Sequence, residues 1–189
     1  IRLGTQWGHA EIMVRTPLAL ARVRQAQGDV GGANTALQEA ERLAQERGVS
    51  PWASARIQAS RVRLWLAPVG GDLAEAARWC SARECVLRGG VELPPAQELE
   101  HLALARVLIA LGRHGDALGL LARLRTAAHA QRRVGREIEI SVLEAIAHRR
   151  NGDSNQAISV LEKALPLAEA EGFVRTFLDG GDPIAGLLF

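Results

Sequence analysis

The 189 residues predict an all-α fold made of about four helical hairpins. Three observations carry that expectation. The chain has no Tyr and only 4% aromatic residues, while Ala, Leu, Arg, Glu and Gln are frequent; strands favour aromatic and β-branched side chains, and these residues favour helix. Glycines at 28, 71, 112 and 152 recur at steps of 43, 41 and 40 residues. Each is followed five residues later by an alanine, Ala33, Ala76, Ala117 and Ala157. Self-similarity at a period near forty residues marks a repeat architecture, in which no unit buries its apolar face alone.

The periodicity places eight helices, at about 8–27, 31–47, 51–67, 72–88, 95–111, 115–130, 134–150 and 154–171. Pro17 falls inside the first, so that helix kinks there or restarts with Thr16 as its cap. It stops at Gly28, which takes a left-handed C′ backbone at no steric cost. The second helix begins after Asp29, and Ser50 before Pro51 reads as an N-cap followed by proline at the first position of the third. Asp72 followed by Glu75 has capping-box spacing and opens the fourth. "GGVELPP" (89–95) is the most loop-like internal stretch, and the fifth helix follows it. Gly71, Gly112 and Gly152 close the third, fifth and seventh helices as Gly28 closes the first. The alanine after each turn lets two helices approach closely, and Leu37, Cys80, Leu121 and Leu161 lie four residues further on the same face.

Chemistry is harder to find in this chain than architecture. The only lysine is Lys163 in "VLEKAL", so no Gly-Lys phosphate loop is present, and "GRHGDALG" (112–119) has the wrong glycine spacing for a dinucleotide fingerprint. His9, His101, His114, His129 and His148 lack the spacing of a zinc site, and Cys80 and Cys85 sit on different helix faces as buried, reduced thiols. No catalytic residue and no metal ligand is expected. The net charge of +2 comes from interleaved Arg and acidic residues, without the single-sign field of a nucleic-acid binder; "QRRVGRE" (131–137) and "HRRNG" (148–152) read as solvated helix faces. No apolar run reaches the ~18 residues of a membrane span and no leader opens the chain, which points to a cytoplasmic protein. Without an initiator Met, the sequence reads as a piece of a longer polypeptide.

The hairpin pattern resembles the tetratricopeptide repeat. Gly28-Asp29, Gly71-Asp72 and Gly152-Asp153 match its inner turn; Ala21, Ala105 and Ala145 match the small residue seven positions before it, and Leu64 departs from it. The period is longer than the ~34 residues of the standard repeat, so longer helices are expected. The resemblance implies a right-handed superhelix, an α-solenoid whose concave face is lined by the first helix of each pair. Counted back from the turn glycines, that face holds Arg22, Gln25, Gln58, Arg61, Trp65, Arg106, Glu139 and Arg149. Such a set suits hydrogen bonding to, and stacking on, a polar ligand such as a sugar, or clamping an acidic peptide.

The ending "LEKALPLAEAEGFVRTFLDGGDPIAGLLF" (161–189) is more specific. It resembles the end of the sensor domain of MalT-like regulators, the large ATP-dependent members of the LuxR family of bacterial transcription activators. Glu171 to Arg175, then Phe177, Leu178, Asp179 and Gly181, and the apolar run Pro183 to Leu188 carry the likeness, and "WGHAEIMVRTPLALARVRQAQGD" (7–29) is similar to the family's first sensor hairpin. The resemblance implies a sensor over 1–172 and a capping segment over 173–189 that leads to a helix-turn-helix DNA-binding module outside this sequence. It also implies ATP in an upstream domain and no cofactor here, a small-molecule inducer or regulatory protein as partner, and self-association. The competing expectation is a docking scaffold that grips a peptide or partner helix. Within the tail, Gly172 is expected to stop the eighth helix, Phe173 and Phe177 to be buried as a cap on the last repeat, and Asp182-Pro183 to start a short final helix.

Overall fold

The computed structural model describes residues 2–87 and 93–173, and among them every regular element is helical. Nine α-helices follow in order: α1 Arg2–Ala26, α2 Val30–Arg47, α3 Pro51–Trp65, α4 Leu73–Ser81, α5 Glu84–Leu87, α6 Glu98–Ala110, α7 His114–Ala130, α8 Val134–Arg150 and α9 Ser154–Glu171, with a 3₁₀ turn at Pro95–Gln97 before α6.

The repeat register is visible in the burial. The alanines five past each turn, Ala33, Ala76, Ala117 and Ala157, are at most 1% exposed. Leu37, Cys80, Leu121 and Leu161, one helical turn later, are buried as well, as are Ala21, Leu64, Ala105 and Ala145 before the turns. Small residues bring the helix backbones together and the larger ones fill the space beside them. Truncating a fully buried leucine such as Leu121 to alanine costs about 2–5 kcal/mol.

The turns explain why each glycine stands where it does. At Gly28 (φ 78°), the amide of Gly28 donates to Gln25 O and that of Asp29 to Arg24 O at 2.9 Å, the paired bonds that close a helix end in a left-handed residue. Gly112, Gly152 and Gly172 repeat the arrangement, so Gly172 stops α9 as the sequence predicts. After the turns, Asp29, Asp72 and Asp153 accept from the amides of Gly32, Glu75 and Gln156 at 2.8, 2.9 and 3.1 Å, and Ser50 accepts from Ala53.

Five expectations need correction. Cys85 is exposed on α5, whereas Cys80 is buried as expected. The first helix begins at Arg2 rather than near residue 8, and it runs unbroken through Pro17, which costs it one backbone bond without ending it. The fourth predicted helix is divided into α4 and α5. α4 ends at Ser81, and after a two-residue turn Val86 donates to Arg83 O at three-residue spacing as α5 forms. In the second repeat Gly70 (φ 68°), not Gly71, is the left-handed residue, because this loop holds one residue more than the others. Phe173 is 38% exposed rather than buried: its ring rests on Gly135, where a Cβ would come within 2.6 Å of it, and the opposite side faces solvent. Phe177, Asp182 and Pro183, with the rest of the tail, lie outside the described residues.

The chain gathers into two compact units, residues 1–81 with 94–103, and residues 82–93 with 104–189. In the first, α1 packs along α2, α2 on α3, and α3 on α4 and the 3₁₀ turn. Its core holds Val14, Leu18, Ala36, Leu37, Ala40, Ile57 and Leu64. In the second, α7 packs on α8 and α8 on α9 around Ile138, Val142, Leu161, Ala164 and Ala168. Residues 102–105 and 107–109 of α6 are all buried, and its apolar sequence fits a helix covered around its circumference.

Candidate functional site

The first unit contains a cavity of about 600 Å³. One wall is α2, through Val30, Gly31, Asn34, Gln38 and Glu41; the other is α3, through Gln58, Arg61, Leu64 and Trp65; Gly70, Asp72 and Glu75 close the end. On α2, Asn34, Gln38 and Glu41 stand at spacings of four and three, one helical face. On α3, Gln58, Arg61 and Trp65 do the same.

Arg61 is the fixed centre of this site. It is 8% exposed, and burying a guanidinium is costly unless its charge and its N–H groups are satisfied. Both requirements are met from α2: Nη2 and Nε donate to the two oxygens of Glu41 at 2.7 and 3.1 Å, and Nη1 donates to Asn34 Oδ1. The planar fork of arginine matches a carboxylate in this bidentate way. Beside it, Trp79 of α4 is 8% exposed and donates its indole N–H to Gln58 Oε1 at 2.9 Å. With the oxygen taken, Gln58 offers its NH₂ group to a ligand. Trp79 also meets the half-buried Trp65 edge-to-face, with centroids 6.5 Å apart and planes at 60°. The buried tryptophan therefore orients both cavity side chains.

The loop from α3 to α4 is built to close the cavity. Asp72 N donates to Trp65 O at 2.9 Å, and Gly70 lies so close to Val30 that a Cβ would come within 2.8 Å of Cγ2. At Gly71 a Cβ would meet the carbonyl oxygens of Trp65 and Ala67 at 2.5 and 2.4 Å. Both glycines are thus required, one by its backbone and one by its contacts.

The eight residues predicted for the groove separate into three environments. Gln58, Arg61 and Trp65 line the cavity. Arg22, exposed on α1, and Gln25, which donates to Arg63 O at 3.2 Å, line a crevice of about 10 Å³, room for no more than one water. Arg106, Glu139 and Arg149 belong to the second unit. There Arg106 pairs with Glu139 at 2.7 Å and Arg136 joins the same carboxylate. Burial alone would push the Glu139 carboxyl up, but Arg106 and Arg136 together hold it below the usual carboxylate range. Arg149 is half-buried on α8. The sequence reading missed Asn34, Gln38, Glu41 and Trp79, because it took ligand positions only from the first helix of each pair. The one-face spacing of the three α2 residues is the signal that finds them.

Among the described residues no three His, Cys, Asp or Glu side chains group as a metal site, and no helix is long and apolar enough to cross a membrane. The family model of the MalT-like TPR region matches residues 1–189. The chain belongs to the MalT-like TPR family. Among curated proteins it is 27% identical over 169 residues to the HTH-type transcriptional regulator MalT of Vibrio campbellii (strain ATCC BAA-1116), an alignment covering 89% of this chain and 18% of that protein. No solved structure matches.

Proposed function

We propose that this MalT-like TPR region is a non-catalytic sensing domain that takes a polar small molecule in the cavity of its first unit. The observation that carries the reading is the convergence of Gln58, Arg61 and Trp65 with Asn34 and Glu41 around about 600 Å³, within the size range of small-molecule sites. An aromatic wall, preset amides and an ion pair satisfied within the protein suit recognition rather than chemistry, and the lining holds no nucleophile beside a base. Like the regulator whose segment it matches, the chain is read as part of a longer polypeptide. On this reading ATP binds in an upstream domain, as the resemblance to MalT-like regulators implies, and DNA contacts belong to a module elsewhere, the matched relative being an HTH-type regulator. Ligand binding acts on those parts only through a difference in affinity between two states of the region.

A metabolite thermal-shift screen on the chain and on Trp65→Ala tests this. Compounds that raise the melting temperature of the parent and not of the variant support the cavity; hits that stabilise both equally place the ligand elsewhere. A docking and self-association role is the second reading, favoured by exposed Ile158 and Leu165, two turns apart on α9. Sedimentation velocity on Ile158→Lys with Leu165→Lys checks it, with dissociation expected if α9 is the interface.

A further inference from the structure

The charge balance of the cavity narrows its ligand. Its lining carries three carboxylates, Glu41, Asp72 and Glu75, against the single guanidinium of Arg61. That guanidinium is committed: Glu41 takes two of its donors and Asn34 a third. The Arg61–Glu41 pair is therefore electrically closed, and the end wall at Asp72 and Glu75 carries the surplus negative charge. Arg78 pairs with Glu75 from outside the lining and also feels Asp72, but its one charge faces two carboxylates, and at 65% exposure it acts through solvent, so the end wall stays net negative. Asp72 uses Oδ1 to cap α4 and keeps its second oxygen available. Trp65, held in place by Trp79, provides an aromatic surface in the same cavity.

From this arrangement, and resting on the reading that the cavity is the ligand site, we infer that the region binds an organic cation, an amine or quaternary ammonium of metabolite size. The charged head lies against Trp65 and toward Asp72 and Glu75. A positive charge over an indole face is attracted by the ring quadrupole, and carboxylates at the rim of the same pocket add to that attraction. An anionic ligand meets the opposite field and finds the only cation of the lining already paired.

Choline and its neutral isostere 3,3-dimethylbutan-1-ol differ in charge and hardly in shape, which makes them the probes of choice. Tryptophan fluorescence of the full chain is titrated with each, in 50 and 500 mM NaCl. The expected result is at least fivefold tighter binding of choline, weakened by salt, and reduced about fivefold or more in Asp72→Asn with Glu75→Gln. Asparagine at position 72 keeps the oxygen that caps α4, so this variant retains the fold. Equal binding of both probes, with loss of both in Trp65→Ala, overturns the cationic class and leaves the cavity as the site. No binding of choline at any reachable concentration overturns the inference and leaves the cavity reading to the thermal-shift screen, whereas binding that survives Trp65→Ala overturns both.

Discussion

Arg132 holds a left-handed backbone (φ 53°) at the turn between α7 and α8, the position that glycine fills at Gly28, Gly112 and Gly152. Its amide donates to His129 O at 3.0 Å and that of Arg133 to Ala128 O at 3.0 Å, so the same closing bonds form at the cost of a Cβ clash. Arg132→Gly is expected to stabilise the chain by about 0.5–1 kcal/mol, the relief of strain outweighing the added freedom of the unfolded chain, as urea unfolding will show. Glu139 makes the opposite point. Its folded-state carboxyl titrates below its ordinary value near ~4.3, so its pair with Arg106 and Arg136 contributes stability above that value and loses it as the pH falls through the folded one. Glu139→Gln should cost about 1–3 kcal/mol at pH 7, and the gap from the parent should narrow as the pH falls below the ordinary carboxylate range. Cavity-lining residues were legible on α3, where Gln58, Arg61 and Trp65 lie on the first helix of a pair, and Asn34, Gln38 and Glu41 were not, because they lie on a second helix. Trp79 was not, because its role depends on contacts across helices that no local spacing encodes.

At the level of elements, helix ends were the most readable feature. Glycine, aspartate and Ser50-Pro51 act through local backbone chemistry, so their effects do not wait on tertiary packing. The failures came inside the helical runs, at the break between α4 and α5 and in a helix long enough to absorb Pro17. The Gly70-Gly71 loop separates the two contributions to a glycine's role. Gly112 (φ 74°) has open space where a Cβ would go, so Gly112→Ala carries only backbone strain, about 1 kcal/mol. Gly70 has the same backbone and also abuts Val30, so Gly70→Ala should cost about 2–3 kcal/mol. Equal melting temperatures for the two variants would remove the contact with α2 that closes the cavity.

On the scale of the whole chain, an alanine and glycine repeat with few aromatics specifies hairpins and their crossings, and the family match over residues 1–189 agrees with that reading. The repeat does not specify which face binds. All four hairpins share the turn pattern, yet the large cavity lies in the first unit, where α2 supplies a polar face opposite α3 and the longer α3–α4 loop closes the end. That is a property of side chains added to the repeat, not of the repeat. The claim that this cavity is where a signal enters is tested most directly by ¹⁵N–¹H chemical-shift mapping during titration with a compound from the thermal-shift screen. The account predicts that the largest shifts fall on Asn34, Glu41, Gln58, Trp65, Asp72 and the indole N–H of Trp79. Shifts confined to α7, α8 and α9, with these groups unmoved, would contradict it.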